Sequence, residues 1–228
     1  MSRHRSRRYA KASAQVERSK RYTPEEGLAL IKSLPGPKFD EAVDVVIRIG
    51  IDPKKTDQLV RGSVSLPKGT GKSIKIAVFA DGDKATEAKE AGADFVGAAD
   101  LAEKIEKGFS DFDMTIASPD MMRFVGKLGK VLGPQGKMPS PKAGTVTPNV
   151  AQAVKEFKAG KIEFRTDAGA NIHAAIGKKS FGAGDLAENL TAFVEHVRTL
   201  RPAQAKGAFI KKVVVSTSMG PSVALAVE

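Results

Sequence analysis

Three histidines, no cysteine and one Gly-Lys-Ser triplet are the first places to look for chemistry in this chain. Histidine is the usual acid–base group or metal ligand near neutral pH. His4 falls in a basic N-terminal segment, His173 in a strand-like stretch and His196 in an amphipathic one, with no two at metal-ligand spacing. No local serine nucleophile motif accompanies them. Without cysteine there are no disulfides, no thiol catalysis and no Cys-ligated zinc, which suits a reducing cytoplasm. Gly71-Lys72-Ser73 would close a phosphate-cradling loop only if a glycine stood where this chain has Leu66, and if a helix rather than an apolar strand followed. Gly126, Gly129, Gly133 and Gly136 do not form the G-x-G-x-x-G turn of a dinucleotide site. Asp81/Asp83 and Asp111/Asp113 flank strands and read as turns; a carboxylate pair distant in sequence stays open. No catalytic residue, cofactor or metal is expected.

The chemistry that does stand out is electrostatic. The chain has 228 residues and a formal net charge of +11, for which a polyanionic partner is the default reading. The charge is segregated. Residues 1–22 hold eight Lys/Arg against Glu17 alone, residues 73–120 hold five bases against eleven acids, and residues 121–142 hold five bases and no acid. The last segment reads MMRFVGKLGKVLGPQGKMPSPK, with Lys127, Lys130, Lys137 and Lys142 set among glycines and prolines. Glycine lets backbone approach a phosphate and lysine neutralises it; the competing reading is a solvated flexible loop. Lys38-Phe39-Asp40 also has two readings. Phe39 is either the first core residue of a strand or an exposed platform for a base or ribose. Thr217-Ser218-Met219-Gly220-Pro221 is either a tight hairpin turn or a set of small hydroxyls reaching an RNA minor groove.

These residues need a scaffold. Residues 1–22 read as a basic arm that is mobile alone and orders on binding. Thr23, Pro24 and Glu26 make a helix start with a capping box, and Leu28, Ile31 and Leu34 give that helix an apolar side. Val43, Val45, Ile47 and Ile49 alternate within a long strand spanning 39–51, and a second strand covers 59–66. Pro67-Lys68-Gly69-Thr70-Gly71 is a candidate hinge. Strands at 74–79, 95–96 and 114–117 then alternate with helices at 84–91, 101–107, 120–130 and 148–158, the last capped by Thr147. That rhythm predicts a parallel sheet flanked by helices. After Gly160 it reverts to strands at 162–165 and 172–176, expected to pair, an amphipathic helix at 185–200, and a hairpin at 209–218 and 223–227. The economical architecture is an α+β domain split between residues 1–67 and 160–228, carrying an inserted Rossmann-like α/β domain at 68–159. No stretch approaches the ~18 apolar residues of a membrane span. The charged N-terminus lacks the apolar core of a secretory signal.

The stretches KFDEAVDVVIRIGIDPKKTDQLVRGSVSLPKGTGK, LGKVLGPQGKMPSPKAGTV, GKIEFRTD and STSMGPSV together resemble the ribosomal L-one family, the large-subunit protein of the mobile stalk beside the tRNA exit site, in its bacterial form. The resemblance runs from the basic N-terminus to the final hairpin. It implies the split architecture, binding of large-subunit rRNA on the ribosome, assistance to deacylated tRNA leaving the exit site, and repression of the protein's own operon mRNA. Carried over by position, it implies RNA contacts at Lys38, Phe39, Asp40, Glu163, Arg165, His173, Thr217, Ser218, Met219 and Gly220. In that reading Lys38 and Arg165 meet phosphate, Phe39 and Met219 meet sugar or base, Thr217 and Ser218 bond ribose or backbone, and Gly220 permits close approach. Relatives often have threonine at the place of Ser218, so this chain keeps the hydroxyl there without the methyl group. Lys127, Lys130, Lys137 and Lys142 would be secondary RNA or tRNA contacts. Two other classes stand beside this one: a nucleotide-binding enzyme using the central α/β segment, and a DNA-binding regulator, for which no helix-turn-helix or zinc pattern is visible.

Overall fold

The computed structural model describes residues 6–205 and 207–226; His4 and Val227 lie outside them. Contacts divide the chain into two compact units, one from residues 1–71 with 162–228 and the other from residues 72–161.

The first unit is organised by β1 (Ala42–Ile49), whose Val43, Val45, Ile47 and Ile49 are all buried while the residues between them are not. A period of two sends alternate side chains to opposite faces, so one face of β1 must be covered. It lies in an antiparallel sheet of order β7 (Asn171–Lys178), β1, β8 (Ile210–Thr217), β9 (Val223–Leu225). Ile172, Ile176, Val213, Val215, Val223 and Leu225 join the β1 residues in one core with Leu28 and Ile31 of α2 (Pro24–Ser33) and Leu186, Leu190 and Phe193 of α8 (Ala183–Thr199). Each such side chain contributes about 1.5–3 kcal/mol on burial. The capping box of α2 is formed: Thr23 Oγ1 accepts from Glu26 N, and the Glu26 carboxylate accepts from Thr23 N. β2 (Arg61–Ser65) pairs with β6 (Lys161–Arg165) in a separate two-stranded sheet. The expected pairing of 162–165 with 172–176 is therefore replaced by the β2–β6 pairing; among the described residues a Thr166–Ile172 bridge is what joins these stretches, although β7 is an edge strand.

The N-terminal segment also departs from expectation. Residues Arg7–Ala14 form α1, with Ser6 accepting from Tyr9 N, and Ala12 and Val16 are buried in the sheet core. Ala12 within the helix and Val16 just after it seat this segment on the core.

Residues 68–69 are not a free hinge. Asn189 of α8, fully buried, accepts from Lys68 N at 3.0 Å and donates to the carbonyls of Gly69 (2.9 Å) and Ile176 (2.8 Å). Asn189→Leu leaves one backbone amide and two carbonyls without partners. At about 1–3 kcal/mol for each unsatisfied group, urea unfolding of the full chain is expected to show a loss of about 3 kcal/mol or more. A loss below about 1 kcal/mol would mean water takes over these bonds.

The second unit has a parallel sheet of order β4 (Phe95–Gly97), β3 (Ile76–Phe79), β5 (Met114–Ala117). All four residues of β3 are buried, as a parallel strand covered on both faces requires. One face packs on Leu101 and Ile105 of α4 (Ala99–Glu106) together with Val125, Leu128 and Leu132. The other packs on Ala88 of α3 (Asp83–Glu90) and on Val150, Val154 and Phe157 of α7 (Val150–Ala159). The helix expected over 120–130 is broken into α5 (Met122–Lys127) and α6 (Gly129–Leu132), where Gly126 and Gly129 give weak helical support. The cap of α7 is Asn149, which accepts from Gln152 N, and not Thr147, whose hydroxyl accepts from Asn149 N.

Candidate nucleic-acid interface

Helices cover one face of the four-stranded sheet, and the opposite face carries Ala42, Asp44, Val46 and Arg48 of β1. At the end of this sheet where β1 begins and β8 ends, two sequence-distant segments meet. Ser218 N donates to Ala42 O at 3.1 Å, and Ala42 N donates to Ser218 Oγ at 3.2 Å. Met219 N donates to Glu41 Oε1 at 2.8 Å. Segments 38–40 and 217–220 are thereby locked into one edge.

That edge presents apolar surface. Among the described residues the exposed large apolar side chains are Phe39, Leu59 and Met219, and two of the three stand here, 54% and 52% exposed. Phe39 is outside β1, so its reading as a core strand residue is overturned. Lys38 beside it is exposed, and Arg8 Nη2 donates to Met219 O at 3.4 Å. Asp40 is exposed, and its carboxylate accepts from Ser180 N (3.1 Å) and Ser180 Oγ (2.7 Å). Thr217 is buried, and a Cβ at Gly220 would lie 2.3 Å from its Oγ1, so the turn itself demands that glycine. Ser218 spends its hydroxyl on β1.

Glu41 explains why the edge holds its shape. It is 1% exposed. Besides Met219 N it faces Lys179 Nζ at 3.7 Å, and Lys179 donates to Leu34 O at 2.6 Å. A buried carboxylate thus ties the end of α2, the start of β1, the residues after β7 and the final turn together. Sequence reasoning missed Glu41, Lys179 and Ser180, because charged and small polar residues beside a strand look like ordinary surface.

Glu163 and Arg165 stand on β6 and His173 on β7, in two different sheets. Glu163 Oε1 accepts from Arg61 Nη2 (2.8 Å) and Nε (3.2 Å) across the β2–β6 sheet, while Arg165 is exposed. His173 stands opposite Val46 of β1, with Nε2 3.2 Å from Asp167 Oδ2. The Asn171 backbone and side-chain N–H groups, then His173 and Gly169, hold the Asp167 carboxyl well below the usual carboxylate range. Asp44, on the same open face, is pushed upward by burial, against the pull of His173 and Lys178.

In the second unit Lys127, Lys130 and Lys142 are exposed, whereas Lys137 is engaged. Its ammonium donates to Ser110 O at 3.0 Å and lies 4.7 Å from the centre of the Phe112 ring. A cavity of about 260 Å³ lies beyond the C-terminal ends of β3 and β5, lined by Asp81, Asp83, Lys84, Ser118, Asp120 and Met121. Open α/β sheets bind nucleotides at such crevices, but here three carboxylates face one lysine, and that lysine pairs with Asp120 at 3.1 Å. The surface repels phosphate. No group of three or more His, Asp or Glu among the described residues is placed to hold a metal ion.

The fold is a mixed α/β one with a cation-flanked apolar edge. The family model described as the ribosomal protein L1p/L10e family matches residues 30–221, and the chain belongs to that family. A protein of Kosmotoga olearia named large ribosomal subunit protein uL1 is 54% identical over 97% of this chain and 96% of its own length. Proteins of the same name from Cutibacterium acnes (55%, covering 96% of this chain and 94% of the relative) and Bordetella pertussis (56%, covering 94% and 93%) are equally similar.

Proposed function

We propose that this chain is a structural constituent of the large ribosomal subunit, not an enzyme, and works in the cytoplasm on the ribosome. Family membership over nearly the whole chain supports that much. The finer reading places it on large-subunit rRNA at the mobile stalk, where it assists deacylated tRNA in leaving the exit site and represses its own operon mRNA by the same RNA grip. In this reading the α+β part built from both chain ends is the RNA-binding domain, and the Rossmann-like α/β part between them is its insertion, with Lys127, Lys130 and Lys142 offering secondary RNA or tRNA contacts.

The observation that carries the reading is the edge where Phe39 and Met219 stand exposed beside Lys38 on a scaffold braced by buried Glu41. A soluble fold gains nothing by fixing two large apolar side chains in water, whereas an RNA offers sugar and base faces to cover them. Binding of a stalk rRNA fragment is to be compared with binding of a fully paired RNA of equal length, at two salt concentrations. Tight binding of the fragment is expected, with its preference kept at the higher salt. Equal binding to both RNAs, erased by salt, would reduce the protein's affinity to generic charge. Addition of the operon mRNA leader as competitor tests the repressor role in the same assay: displacement of the fragment is expected.

A further inference from the structure

The open face of the sheet has a second end. On it, Arg48 of β1 stands directly opposite Lys212 of β8. Opposed side chains of antiparallel strands sit about 4.5–5.5 Å apart at Cβ, and like charges there are destabilising. Both residues are exposed, and neither forms an ion pair with a carboxylate among the described residues. Lys211 adds a third exposed cation, its Cε 3.1 Å from where a Cβ at Gly50 would lie. On the other side of Arg48 the β7 partner is Asn171. The neighbouring acid, Asp167, is already engaged by Gly169, Asn171 and His173. The sheet therefore keeps a repulsive pair that its own residues do not neutralise.

Position gives this pair a use. Ala42, bonded to Ser218 at the Phe39–Met219 edge, and Arg48 are on the same face of β1, six residues apart. At about 3.4 Å per residue that is about 20 Å. Val46 and Val214 lie between, with His173 beside them, and Asp44 makes the middle of the face unfavourable for phosphate. The two ends are favourable.

We propose that Arg48 and Lys212 form a second anchor for RNA backbone phosphates, about 20 Å along the sheet from the Phe39–Met219 edge, so that one folded RNA spans the open face. This rests on the RNA-binding reading above. The anchor adds affinity and salt dependence, while the apolar edge supplies fit.

Lys212→Glu separates the structural from the binding role. It replaces a repulsive cross-strand pair by an attractive one, so the unfolding midpoint of the full chain is expected to rise. Binding of the stalk rRNA fragment is expected to weaken about tenfold or more at low salt. The slope of log affinity against log salt is expected to shrink by about one to two, one unit for each phosphate that the protein no longer neutralises. Lys212→Ala, which adds no new charge, is expected to show the same direction with smaller effects, and serves if the glutamate variant misfolds. Unchanged affinity and slope in a folded variant would overturn the anchor and leave the patch as solvated charge. Failure of the wild-type protein to bind the fragment would overturn the parent reading and the anchor with it.

Discussion

Replacing Phe39 and Met219 together by alanine is expected to weaken binding of the stalk rRNA fragment by about 100-fold while leaving the unfolding midpoint unchanged. Both side chains are more than half exposed and neither belongs to the hydrophobic core. Their removal creates no cavity, so the fold has little to lose. In an RNA complex each would be covered by a ribose or base. Truncating an aromatic stacking side chain such as Phe39 costs about 1–3 kcal/mol, and full burial of a methionine side chain such as Met219 is worth about 1.5–3 kcal/mol. Two truncations near the low end give about 100-fold, since about 1.4 kcal/mol is tenfold. Electrophoretic mobility shifts read the affinity, and urea unfolding checks the fold. A binding loss below about threefold would mean that the exposed pair faces solvent in the complex too. Phe39→Tyr should retain most of the affinity, because the ring is kept.

Replacing Glu41 by alanine is expected to act through stability and binding at once. The carboxylate is buried, and its loss leaves Lys179 facing Leu34 O alone and Met219 N without its acceptor. Breaking a buried pair by deleting one partner costs about 3–5 kcal/mol. With the brace gone, the Phe39 and Met219 segments are no longer fixed to each other. Affinity of the fraction still folded should then fall more than about tenfold, which a purely structural role away from the interface would not produce. Glu41→Gln keeps an acceptor for Met219 N but removes the charge facing Lys179, and should lie between the two. If the folded fraction of the alanine variant binds as tightly as wild type, the edge does not need its brace and Glu41 is a core residue only.

The parts of the fold that were legible in the sequence are those governed by local rules. Thr23, Pro24 and Glu26 spelled the start of α2, and the alternation of Val43, Val45, Ile47 and Ile49 spelled β1. What could not be read locally is which strand pairs with which. β6 joins β2 about 100 residues away, because a strand's partner is chosen by packing and not by its own pattern. α1 was hidden for a different reason: its buried residue, Ala12, is too small to raise a hydrophobic signal among basic neighbours. The sequence reads 120–130 as one helix; the break comes where Gly126 and Gly129 weaken it, a cost that a single helix could have absorbed. At the candidate interface, residue types named Phe39 and Met219, but only three dimensions place them on one edge. Glu41 was invisible because a buried charge declares itself through its partners.

Ultraviolet cross-linking of the protein to the rRNA fragment, with the attached peptides mapped by mass spectrometry, asks which surface holds the RNA without disturbing either molecule. Cross-links are expected within residues 38–40 and 217–220, and are expected to disappear when Phe39 and Met219 are replaced. Cross-links confined to residues 121–142 would contradict the edge as the interface, and would make the basic segment of the second unit the RNA-gripping surface.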